Sequence, residues 1–115
     1  MTGSSCTLST HVLDTTHGRP AAGMAIGLFG PDGAVAAGLT DVDGRCPDLV
    51  KAPLAPGRYR LEFKVAAFFR ANGVTLPEPP FLDVVTVDFG IAPSGGHYHV
   101  PLLVSPYGYS TYRGS

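Results

Sequence analysis

From Gly57 to Val65 the chain alternates: Tyr59, Leu61, Phe63 and Val65 take one face, and Arg58, Arg60, Glu62 and Lys64 take the other. A β-strand with one buried and one wet face requires that pattern, because successive side chains point to opposite sides of a sheet. Other apolar or β-branched runs recur at short intervals, each closed by turn residues, as in an all-β sandwich or barrel. Thr7 to Asp14 stops at the polar loop Thr15-Thr16-His17-Gly18-Arg19-Pro20. Met24 to Phe29 is followed by Gly30-Pro31-Asp32-Gly33, a hairpin turn into Ala34 to Thr40. Asp41-Val42-Asp43-Gly44-Arg45 is the next reversal, followed by a short segment near Leu49.

Ala66 to Ala71 reads as one short helix, with Asn72-Gly73 supplying left-handed residues at its end and prolines at 77, 79 and 80 preventing its continuation. Phe81 to Ile91 is long and apolar and is expected to lie centrally in a sheet. His97 to Ser105 and Tyr109 to Tyr112 bring the count to seven or eight strands. The 15 glycines and 11 prolines accompany clear alternation, so they mark turns, not disorder.

At 115 residues the expectation is one domain spanning 1–115, able to bury roughly two-thirds of its unfolded surface, with residues 1–6 disordered at the terminus. A net charge of -1 with 15% charged residues leaves no electrostatic footprint for nucleic acid or an anionic membrane. The 44% hydrophobic content is high for so small a domain, which suggests that part of its outside is covered by another subunit. Met1 to Cys6 has no apolar signal region, and no stretch approaches the roughly 18 apolar residues of a membrane span, so a cytoplasmic protein is expected. Cys6 and Cys46 lie outside any CxxC pair and are expected as thiols in that compartment.

The chemistry-bearing residues concentrate late. His97 to Ser115 holds two histidines, four tyrosines, one arginine and three serines. In the strand from His97, the set Tyr98, Val100, Leu102 and Val104 faces the core, and His97, His99, Pro101, Leu103 and Ser105 face a mixed surface suited to a wet interface or cleft. His11 shares a face with Ser9 and Leu13 by the same rule. With a reference pKa of about 6.5, His11, His97 and His99 are candidate general bases or acids. For any one of them taken alone, a structural histidine kept for its hydrogen bonds is the more ordinary reading. The His-x-His pair with His11 also permits a metal, although no carboxylate or fourth ligand stands nearby. Arg45 follows a tight Asp-Gly turn, where its planar fork can grip a polar heterocycle or carboxylate, or simply be solvated. His17 is expected to be solvated. Ser115 and Tyr112 offer hydroxyls, but no Gly-x-Ser-x-Gly elbow activates a serine nucleophile, and no P-loop, dinucleotide fingerprint or zinc-finger spacing occurs.

Three separated segments together resemble the 5-hydroxyisourate hydrolases, the transthyretin-related proteins. They are Leu8-Ser9-Thr10-His11-Val12-Leu13-Asp14, Thr40-Asp41-Val42-Asp43-Gly44-Arg45-Cys46, and His97-Tyr98-His99-Val100-Pro101-Leu102-Leu103 running on to Tyr112-Arg113-Gly114-Ser115. The likeness spans nearly the whole chain, and the Tyr-Arg-Gly-Ser ending is its most specific part. It implies an all-β, transthyretin-like two-sheet β-sandwich of about eight strands with one short helix. It further implies a homotetramer whose active sites lie at the dimer–dimer interface, and hydrolysis of 5-hydroxyisourate to 2-oxo-4-hydroxy-4-carboxy-5-ureidoimidazoline in urate degradation, with no metal or organic cofactor. By motif, His11, Arg45, His99 and Ser115 match the family's catalytic positions; His11, Arg45 and Tyr112 match its substrate contacts, and His97 is the weaker match of the histidine pair. The stretch Leu76-Pro77-Glu78-Pro79-Pro80 departs from the family's more aromatic approach to the next strand. Two rivals share the sandwich: a transthyretin-like carrier of a small aromatic ligand, which lacks the histidine pair and the tail, and a structural or adhesive module, which leaves the tail unexplained.

Overall fold

The computed structural model describes residues 6–49 and 52–114. The described chain forms β1 (Cys6–Asp14), β2 (Arg19–Pro20), β3 (Ala25–Gly30), β4 (Gly33–Leu39), a 3-10 turn (Pro47–Leu49), β5 (Gly57–Lys64), α1 (Val65–Ala71), β6 (Val84–Ile91), β7 (Gly96–Ser105) and β8 (Gly108–Thr111). They build two four-stranded sheets, ordered β2-β1-β7-β8 and β4-β3-β5-β6. Alternation sets which side chains lie between the sheets: Leu8 and Val12 of β1, Ile26 and Leu28 of β3, Leu61 and Phe63 of β5, and Leu102 and Val104 of β7 are all buried. Among the described residues no helix is long and apolar enough to cross a membrane.

The pairing of β1 with β7 is parallel and runs from Cys6 opposite Gly96 to Asp14 opposite Val104. Parallel neighbours need a long crossover, here supplied by the entire second sheet and the helix. That crossover brings the Ser9-His11 face beside the His97-His99 face, with Ser9 opposite His99 and His11 opposite Pro101.

Three expectations are corrected. Phe81 to Ile91 does not run centrally: the strand begins only at Val84 and β6 lies at a sheet edge, while Phe81 is exposed and in ring contact with Tyr107. The prolines at 79 and 80 withhold backbone donors, and the 74–83 segment folds back on the helix, where Arg70 Nη2 donates to the Pro77 carbonyl at 2.9 Å. The carbonyl of Asp83 in turn accepts from the first helical N–H groups, those of Val65 and Ala66. At the helix end only Gly73 is left-handed, at φ 83°, whereas Asn72 has φ -100°. Val74 N–H to Phe69 O and Gly73 N–H to Arg70 O complete a Schellman cap, which needs one such residue. Of the six residues expected to be disordered, 1–5 lie outside the described residues and Cys6 opens β1 fully buried. Cys6 and Cys46 are both buried and free.

Candidate active site

The outward face of the β1–β7 pair carries a continuous chain of polar groups. Thr7 Oγ1 is 2.7 Å from His97 Nδ1, Ser9 Oγ is 2.8 Å from His97 Nε2, and the same Ser9 Oγ is 2.7 Å from His99 Nδ1. Thr7 and His97 are exposed, and Ser9, His11 and His99 are half-buried. Parallel register makes this possible, because residues paired across such a ladder send side chains to the same side of the sheet.

Arg45 arrives on the 41–45 reversal and forms an isolated antiparallel bridge with His11. Asp41 holds the loop: its carboxylate accepts from the backbone N–H groups of Asp43 at 2.9 Å and Arg45 at 3.0 Å, an Asx-turn arrangement. Gly44 sits at φ 78°, and a side-chain carbon there would lie 2.4 Å from the Val12 carbonyl oxygen. Only glycine lets the loop lie this close to β1, where Val12 N–H donates to the Gly44 carbonyl at 2.8 Å. A cavity of about 340 Å³ opens here, lined by Ser9, Thr10, Arg45, Cys46 and Pro47.

The tail returns to the same face. Gly114 N–H donates to the His99 carbonyl at 2.7 Å, and a side-chain carbon at 114 would fall 2.6 Å from His99 Cδ2. The glycine of the Tyr-Arg-Gly-Ser motif is therefore seated against the imidazole itself. Arg113 secures this return twice, with its guanidinium 3.9 Å from the centre of the Tyr98 ring and Nη2 donating to the His97 carbonyl at 3.2 Å. Ser115 lies outside the described residues. Tyr112 is exposed and lines a different cavity of about 240 Å³ with Tyr98, Val100 and Arg113, so within one chain it is not gathered with Arg45.

Electrostatics favour a neutral His99. Burial lowers its pKa below the ordinary histidine value, and the positive fields of Arg45, His11 and His97 lower it further. A neutral imidazole with one nitrogen held by Ser9 can accept a proton from water on the other. A larger cavity, about 680 Å³, lies on the other sheet along Phe29, Arg58, Arg60 and Asp88; it holds an Arg60–Asp88 ion pair and no imidazole, so it offers no comparable chemistry. Among the described residues no group of three or more His, Cys, Asp or Glu is placed to hold a metal. His17, expected to be solvated, instead bonds through Nδ1 to the buried carboxylate of Asp14 at 2.5 Å, which shapes the turn after β1.

Residues 8–114 match the model of the HIUase/Transthyretin family. The chain belongs to that family. The 5-hydroxyisourate hydrolase of Pseudomonas aeruginosa is 53% identical over 114 residues, with 94% of this chain and 90% of that protein covered. Among solved structures, the 5-hydroxyisourate hydrolase of Klebsiella pneumoniae aligns with a TM-score of 0.84 at 37% identity, covering 96% of this chain and 99% of that one. An (S)-allantoin synthase aligns with a TM-score of 0.87 at 38% identity over 98% of this chain, which spans only 45% of that protein's length. The transthyretin-like sandwich read from the sequence is thus the fold, with two four-stranded sheets and one short helix.

The sequence reading missed the hydroxyls of Thr7 and Ser9 as partners of the histidines, and it missed the seating of Gly114. Alternation put Ser9 on the face of His11, but no signal in the sequence names the strand that lies beside β1.

Proposed function

We propose that this chain is a 5-hydroxyisourate hydrolase, opening the lactam ring of 5-hydroxyisourate with water to give 2-oxo-4-hydroxy-4-carboxy-5-ureidoimidazoline in urate degradation, a branch of purine metabolism. The observation that carries this reading is the relative named for that activity, 53% identical along 94% of the chain. The convergence of His11, Arg45 and His99 on one face gives it a chemical basis.

In the mechanism we favour, His99 takes a proton from water, and the resulting hydroxide attacks the ring carbonyl. Burial and neighbouring charge lower the pKa of its ring, so it is unprotonated and free to accept a proton near neutral pH. The Arg45 guanidinium holds the heterocycle and stabilises negative charge developing on the carbonyl oxygen. His11, bridged to Arg45, contacts substrate, and the proton held by His99 is returned to the leaving ring nitrogen as the C–N bond breaks. Ser115 positions the water and Tyr112 contacts substrate. General base catalysis contributes about 10² to 10⁴-fold, with orientation supplying much of the rest. No metal or organic cofactor belongs to this scheme.

The single domain assembles, in this reading, as a cytoplasmic homotetramer with its active sites at the dimer–dimer interface. The exposed Tyr109 and Tyr112 and the half-open histidine face support a covering subunit. Ultraviolet absorbance followed during urate oxidation tests the activity. Catalytic amounts of protein should speed the decay of the intermediate; a decay unchanged by the protein would favour a carrier or structural module. Light scattering tests the tetramer.

A further inference from the structure

His97 has no role in the scheme above, yet it is the link in the only hydrogen-bonded chain that reaches His99 from solvent among the described residues. We propose that Thr7, His97 and Ser9 form a positioning relay that fixes the tautomer of His99 and shares out to His97 the charge His99 takes up. This rests on the hydrolase reading and deepens it.

A serine hydroxyl has a single proton. Ser9 Oγ stands 2.7 Å from His99 Nδ1 and 2.8 Å from His97 Nε2, so it can donate to only one ring and must accept from the other; with its own proton kept within the chain, it does one of each. The two neutral imidazoles are thereby tied to opposite protonation at the facing nitrogens. When His99 carries its proton on Nδ1 and donates it to Ser9, the Ser9 proton goes to the bare Nε2 of His97. His97 then carries its own proton on Nδ1 and donates it to Thr7 Oγ1 at 2.7 Å. This polarity leaves His99 Nε2 as a lone pair, next to the Cδ2 carbon on which Gly114 sits.

The charged and titratable groups around the pair come from three elements. Arg45 and His11 lie on the β1 and loop side, and Arg113 reaches the His97 carbonyl from the tail. When water gives a proton to His99 Nε2, the Nδ1 proton passes to Ser9 Oγ and the Ser9 proton passes to His97 Nε2. The hydroxide goes to the carbonyl carbon, and the positive charge comes to rest on His97. His97 is exposed and His99 is half-buried, so the charge moves from the poorly solvated ring to the well-solvated one.

His97 and Ser9 are positioning residues here, because they act only through His99. Four variants test the relay: Ser9→Ala, His97→Ala, the double variant and Ser9→Thr. Steady-state decay of 5-hydroxyisourate should show kcat reduced roughly 10 to 100-fold in each alanine single variant, with little change in KM. The double variant should fall within about twofold of the worse single variant, because the second loss removes nothing more. Ser9→Thr, which keeps the hydroxyl, should restore most of kcat. Losses that multiply in the double variant, or a loss in KM alone, would overturn the relay. Nitrogen-15 spectra of the imidazoles give a readout independent of turnover. Wild-type His99 should carry its proton on Nδ1 and shift toward the Nε2-protonated form in Ser9→Ala; Nε2 protonation in both proteins overturns the proposal. An inactive wild type with the Nδ1 signature would sink the hydrolase reading and leave the relay standing.

Discussion

Replacing Gly114 by alanine puts one carbon where the His99 ring already is. The new methyl would lie 2.6 Å from His99 Cδ2 and 3.2 Å from both Cβ and Cγ, against an ordinary carbon contact of about 3.5–4.0 Å. The ring has little freedom to yield, because Ser9 holds its Nδ1 at 2.7 Å and β7 holds its backbone. The tail must therefore retreat by about 1 Å, enough to lose the Gly114 N–H bond to the His99 carbonyl. A net loss of one such bond costs about 0.5–1.5 kcal/mol, so the domain stays folded. A displacement of about 1 Å beside the reacting atoms can cost on the order of 10²-fold in rate. We expect kcat/KM for 5-hydroxyisourate to fall by that order while the circular dichroism melt shifts only modestly. Wild-type turnover in the folded variant, or a loss that merely tracks unfolding, would refute the assignment of the tail to the site.

Other consequences follow from the same geometry. His99→Asn should lower kcat by about 10² to 10⁴-fold without unfolding the protein, since the ring sits on the outward face; a folded variant with full activity would remove His99 from its role. Arg45→Gln removes one of the charges that depress His99, so a proton NMR titration should find its pKa raised toward, but not to, about 6.5, burial being the larger cause. An unmoved or lower value would contradict that. Because folded His99 binds its proton less readily than the unfolded chain does, its contribution to stability is full above about pH 6.5 and is lost as pH falls through the lower folded value. Phe63→Ala empties a fully buried position between the sheets and should cost about 3–5 kcal/mol in urea denaturation; a cost below about 1 kcal/mol would mean that the core is packed elsewhere.

The strands of this fold were legible wherever one face is apolar and the other polar, as in β5, where Tyr59, Leu61 and Phe63 are buried and their neighbours are not. Where both faces were apolar, as from Phe81 onward, alternation could not tell a central strand from an edge strand preceded by an exposed loop. Local pattern also says nothing of neighbours 90 residues apart, so the parallel register that sets Ser9 beside both His97 and His99 was out of reach. His11 and His99 stood out because imidazole is a costly choice on a half-buried strand face, whereas Arg45, readable as a solvated loop residue, was picked out only by the resemblance of its turn to the family's. Ser9 and Gly114 did not, because serine and glycine are ordinary residues until their partners are known.

A crystal structure with a non-hydrolysable purine-dione analogue of the substrate locates the chemistry most directly. The ring is expected at the Ser9–Arg45 cavity, within hydrogen-bond reach of Arg45 and His99 and covered by a neighbouring subunit. An analogue bound instead in the larger cavity along Arg58 and Asp88, with the His11–His99 face left to solvent, would contradict the account.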